Sequence, residues 1–146
     1  MEFIRGLHNL RPDATGCAVT IGNYDGVHLG HQAMLERLRG HGQRLGIPTA
    51  VLTFEPSPRE YLDLANAPAR LTRLREKLAL LAEQRIDRCI VLRFDARLQR
   101  LTAGEFMDVL QHRVGARVIV IGHDFRFAYR GEADARVLLN AAPERG

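Results

Sequence analysis

The chain has 146 residues, 46% hydrophobic and 26% charged, a balance that fits one globular domain with a sizeable core and excludes a disordered chain. No apolar run approaches the about 20 residues a membrane span needs, and the opening MEFIRGLHNLRPD is charged and lacks the apolar centre of a signal peptide. The net charge of +4 favours anionic partners, yet the arginines are scattered and no basic block carries interleaved aromatics, so neither nucleic acid nor a membrane is an expected partner.

In chain order, CAVTIG (17–22) reads as a buried strand, apolar and rich in β-branched residues. A helix follows in which Met34, Leu35, Leu38 and Leu45 share a face, closed by Gly46 and Pro48. IPTAVLTF (47–54) is a second strand, and the Pro-rich run 55–69 is a loop long enough to suggest function. Thr72 can cap a helix that places Leu74, Leu78 and Leu81 on one side, and DRCIVL (87–92) is a third strand. TAGE (102–105) is a capping box opening a helix to about Arg113. ARVIVIG (116–122) is a fourth strand, HDFRFAYRGEAD is irregular, and a last helical run is expected from near Ala133. Cys17 and Cys89 lie inside strand runs without metal or redox spacing and read as buried free thiols of a cytoplasmic protein.

Strands alternating with helices, each strand continuously apolar, specify an α/β fold with a parallel sheet covered on both faces. The expected architecture is doubly wound and Rossmann-like, with the four predicted strands in the order 3-2-1-4. Strands 1 and 4 are then neighbours at the switch point, where ligands bind beyond the carboxyl ends. Two unusual segments, GNYDGVHLGH after strand 1 and GHDFRF after strand 4, would face that crevice.

The first segment carries chemistry. Gly22 and Gly26 permit a sharp turn and close backbone approach. The helix begins near Leu29 or Gly30, so its free amides point at the same place and form an anion site. His28 and His31, three residues apart, share one face of that helix start, with Gly30 keeping the approach open. Two imidazoles there suit a phosphate and the charge that builds on a leaving pyrophosphate. A metal site is the rival reading, but zinc wants further ligands, and His8, His41, His112 and His123 are scattered. The glycines at 22, 26 and 30 do not make G-x-G-x-x-G, and no Gly-Lys pair makes a Walker loop.

His28-Leu29-Gly30-His31 resembles the H-x-G-H signature of the nucleotidylyltransferase superfamily. The longer run TIGNYDGVHLGHQ, with IRGLHNLRP, TFEPSPREYL, LTRLREKLALLAEQRID and IGHDFRFAYRGEAD, resembles the FMN adenylyltransferase domain of bacterial FAD synthetases, the bifunctional riboflavin kinase/FMN adenylyltransferases, over essentially the whole chain. The resemblance implies a nucleotidylyltransferase fold spanning residues 1–146 and the reaction of ATP with FMN, with Mg²⁺, to give FAD and pyrophosphate. By the same resemblance Gly22, Asn23, Asp25, Gly26 and Gly30 shape the ATP site, and His28 and His31 hold the triphosphate and stabilise the transition state. It implies no dedicated metal ligands. Pro56, Pro58 and Arg59, and the segment Asp124, Phe125, Arg126 and Phe127, would hold the flavin nucleotide. An isoalloxazine wants an aromatic or apolar wall, which Phe125, Phe127 and Tyr61 can supply, and Arg59 or Arg126 can fork onto its phosphate. Core packing for the two phenylalanines and a capping role for Asp124 are the alternatives.

The chain departs from the family pattern at Ser57, at Tyr24 where Phe is common, and in FAYRGEAD. The Ser/Thr-rich segment of relatives and their riboflavin kinase domain have no counterpart in it, which implies a C-terminally incomplete domain with weakened nucleotide binding. Other acceptors, such as phosphopantetheine or nicotinate mononucleotide, and a binding module without catalysis are the competing functions.

Overall fold

The structure, a computed structural model, describes residues 1–11, 15–57, 65 and 73–122, together with the backbone of 126–127 and 133–134. Its central sheet is parallel throughout and holds β1 (Glu2–Arg5), β2 (Cys17–Ile21), β3 (Thr49–Phe54), β4 (Arg88–Leu92) and β5 (Ala116–Val120), in the order β1-β4-β3-β2-β5. The last four are the predicted strands in the predicted 3-2-1-4 order. β1 is an addition: its outward pattern gives no sequence signal, and pairing with β4 from Glu2↔Arg88 to Arg5↔Val91 makes it a strand.

Helix α1 (Leu29–Leu45) joins β2 to β3, and α2 (Leu74–Glu83) precedes β4. The short α3 (Ala96–Gln99) and α4 (Ala103–Asp108), the latter prolonged by a π-helical turn over Val109–Val114, lead to β5. Alternation along the strands divides the core in two. Cys17, Val19, Ile21, Leu52, Phe54, Ile90 and Leu92 pack with Phe106, Met107 and Leu110 on one face. Ala18, Val51, Cys89 and Val91 pack with Leu35, Leu38 and Leu81 on the other. So α1 and α2 cover one face and α4 the opposite one. The order in which strands are added reverses between β4 and β5, leaving β2 and β5 side by side at the switch point.

Local caps follow the sequence. Thr102 Oγ1 accepts from the Glu105 N–H at 3.2 Å, while the Thr102 N–H donates to Glu105 Oε1 at 3.1 Å. Gly46 ends α1 in the left-handed region, φ 66°. Thr72 lies outside the described residues, and the position capping α2 is Arg73. Two expectations are overturned: Arg126–Phe127, inside the run read as irregular, is a two-residue strand, β6, and Ala133–Asp134 is another, β7, paired antiparallel with it, not the start of a helix. Pairing in the register Arg126↔Asp134, Phe127↔Ala133 gives this backbone a partner strand in place of helical bonds. Both cysteines are free and buried.

Candidate active site

Beyond the carboxyl end of β2 the chain makes a tight, strained path. The Gly22 N–H donates to the Leu52 carbonyl at 3.1 Å, holding the loop to β3 as it leaves the sheet. Tyr24 (φ 53°), Gly26 (φ 74°) and Val27 (φ 44°) then all adopt positive φ. Glycine does this without cost, but a β-branched valine there stores roughly 1–3 kcal/mol. Burial and hydrogen bonds hold the loop in place. Val27 and Tyr24 are buried, the Tyr24 hydroxyl meets Thr20 Oγ1 at 2.6 Å, and Gln32 Nε2 donates to the Val27 carbonyl at 3.0 Å. A Cβ on Gly22 would stand 3.1 Å from the Tyr24 ring.

This path delivers His28 to the capping position of α1. His28 Nδ1 accepts from the His31 N–H, and His31 Nδ1 accepts from the His28 N–H, each at 3.3 Å. The two rings stack with centroids 3.5 Å apart, and Tyr24 lies 4.7 Å from His31 on the inner side. An imidazole that accepts at Nδ1 carries its proton at Nε2, so both histidines keep a donor for an anion at the helix N-terminus. His28 is exposed and His31 half-buried. Burial, reinforced by the neighbouring His28, lowers the His31 pKa to about 4, Asp25 opposing and Lys77 adding to the fall. His31 is therefore a neutral donor at neutral pH.

The structure thus brings Gly22, Asn23, Asp25, Gly26, His28, Gly30 and His31 together in one loop and helix start. Gly30 lies against His28, where an added Cβ would meet the ring at 3.1 Å. On the expected flavin side, Pro56 is half-buried and Ser57 buried just after β3. Pro58, Arg59, Tyr61, Asp124 and Phe125 lie outside the described residues, and Arg126 and Phe127 are described by backbone alone, as β6. Among the described residues no three His, Cys, Asp or Glu side chains converge as a metal site.

Sequence reasoning missed Lys77 and Thr53. Lys77, on the inner side of α2, is buried and its ammonium reaches Asn23 Oδ1 at 3.3 Å and Thr53 Oγ1 at 3.4 Å. A threonine within the apolar run of β3 and the one lysine of the chain were the available signals.

A family model for FAD synthetase matches residues 10–146. The chain belongs to the FAD synthetase family. This family member is 44% identical over 147 residues to the bifunctional riboflavin kinase/FMN adenylyltransferase of Pseudomonas fluorescens, covering 100% of this chain and 47% of the relative. The protein of the same name from Escherichia coli K12 is 45% identical over 148 residues, again 100% and 47%. That of Haemophilus influenzae is 44% identical over 146 residues, 99% and 47%. The chain spans about half the length of these curated relatives. A solved structure named a macrolide-efflux protein, from Streptococcus pneumoniae, superposes with TM-score 0.79 over 96% of this chain and 47% of its own. At 23% identity that likeness is one of fold.

Proposed function

We propose that this FAD synthetase family member, as one adenylyltransferase domain over residues 1–146, transfers AMP from ATP to FMN, giving FAD and pyrophosphate. The observation that carries the reading is the reciprocal His28/His31 cap at the start of α1. It leaves two Nε2–H groups available as donors beside the amides of a helix N-terminus, beyond the carboxyl end of β2. In the reaction a phosphate oxygen of FMN attacks the α-phosphorus of ATP, and the bond from that phosphorus to the bridging oxygen breaks. Negative charge builds on the departing pyrophosphate, where the two donors stand. Both act without moving, because their rings are fixed by each other's backbone.

Gly22, Asn23, Asp25, Gly26 and Gly30 shape the ATP site. The flavin nucleotide is assigned to Pro56, Pro58, Arg59 and the segment Asp124–Phe127, on the strength of the family pattern. Magnesium enters with the triphosphate: a hard cation that keeps several waters and binds mainly substrate phosphates asks for one or two carboxylates at most. The free thiols and the use of ATP support a cytoplasmic setting. Among the described residues no helix is long and apolar enough to cross a membrane.

The test incubates the chain with FMN, ATP and Mg²⁺ and follows FAD by chromatography, with the full-length Escherichia coli relative as positive control. FAD is the expected product. Pyrophosphate release only with another acceptor assigns a different substrate, and ATP binding without release assigns a binding module.

A further inference from the structure

Lys77 is the one lysine among 21 basic residues. The residue is 3% exposed, and its ammonium is taken out of water at a cost of several kcal/mol unless hydrogen bonds and charge compensate. An apolar residue would be the cheaper choice if packing were its whole task, since Leu81, one turn along, is buried leucine. The ammonium instead joins three elements. Nζ, on α2, donates to Asn23 Oδ1 on the loop and to Thr53 Oγ1 on β3. The Thr53 hydroxyl passes its own proton on to the Asn23 carbonyl at 3.2 Å. Asn23 is thus held by side chain and backbone at once, immediately before Tyr24, where the strained path to His28 begins. A compact ammonium serves both oxygens from one atom, whereas arginine is longer and its planar fork fixes a different donor spacing.

We propose that Lys77 is a positioning residue of the nucleotide site: through Asn23 and Thr53 its ammonium fixes the start of the 22–28 loop, and with it the placement of His28 and His31 toward the phosphates. The proposal rests on the reading that this loop holds ATP. It also explains why α2 packs on the Asp25–Val27 turn, and the same cation contributes to keeping His31 neutral.

The test measures ATP affinity by calorimetry, with Mg²⁺ at fixed salt, for the unaltered chain, Lys77→Met, Asn23→Ala and the double variant, with thermal melting of each. Lys77→Met and Asn23→Ala should each weaken ATP binding about tenfold, and the double variant should weaken it by clearly less than the product of the two, the sign of coupled residues. Lys77→Arg should not restore affinity. If Lys77→Met does not fold, the nearly isosteric Thr53→Val answers the same question: it removes one acceptor of the ammonium and the bond to the Asn23 backbone carbonyl, and should weaken ATP binding in an otherwise unaltered chain that still melts as a folded protein. ATP affinity within twofold of the unaltered chain, or effects that multiply in the double variant, overturns the positioning role while the ATP site stands. No ATP binding by the unaltered chain overturns the proposed function and this role with it.

Discussion

His28 and His31 cap one another: each Nδ1 accepts the other's backbone N–H at 3.3 Å while the rings lie stacked, 18° from parallel. The same two side chains therefore close the start of α1 and present the candidate donors. A cleft-surface histidine pair is expected from sequence to leave folding nearly unaffected when removed; the reciprocal cap gives it a structural share as well.

Substitution separates the two roles. His28→Ala should cost about 1 kcal/mol of stability through the lost cap and about 10²-fold or more in FAD formation. His28→Asn supplies a capping acceptor without the Nε2–H donor. It should retain the melting temperature and still lose turnover. Recovery of turnover in His28→Asn would assign His28 a capping task alone.

The His31 pKa, lowered to about 4 from 6.5, makes stability depend on acid. Between these values the unfolded chain binds a proton that the folded chain refuses. The contribution is therefore fully present above pH 6.5 and is lost as pH falls toward 4. Because His31 is only half-buried, water screens the effect to about 1 kcal/mol. Denaturant titrations at pH 4.5 and 7 should show that loss, and His31→Asn should remove this part of the pH slope. An unchanged slope in the variant would mean that other groups carry it.

Gly30 has negative φ within α1, so its role is space, not backbone freedom. An alanine Cβ would press His28 Cε1 at 3.1 Å and Nδ1 at 3.3 Å, and the ring must shift a few tenths of an ångström. Alanine favours helix, so Gly30→Ala should leave stability within about 1 kcal/mol. The displaced imidazole should lower turnover roughly tenfold. Melting curves and FAD formation measured side by side check both halves.

Burial pushes the Cys89 thiol up to about 12, against the opposing charge of Lys77. Cys17 is equally buried, with Sγ 3.5 Å from the Val114 carbonyl. Neither thiol should react with a disulfide reagent at pH 8 in the native chain, and both should react after unfolding in guanidinium. Rapid labelling of either in native conditions would show that its face of the sheet opens readily.

By itself the sequence determined the α/β class, four strands and their order, the helix caps at Thr102 and Gly46, and the pairing of His28 with His31 at a helix start. These are local: period, capping chemistry and glycine placement act within a few residues of one another. Tertiary structure decided the rest. Glu2–Arg5 is a strand because β4 offers an unpaired edge, and Ala133–Asp134 is one because β6 lies beside it. Lys77 belongs to the loop around Asn23 because α2 folds over the carboxyl end of β3, a contact between residues 54 positions apart. No periodicity encodes which buried oxygen a lysine will meet; that is fixed only when separate elements pack and an ammonium removed from water must find partners.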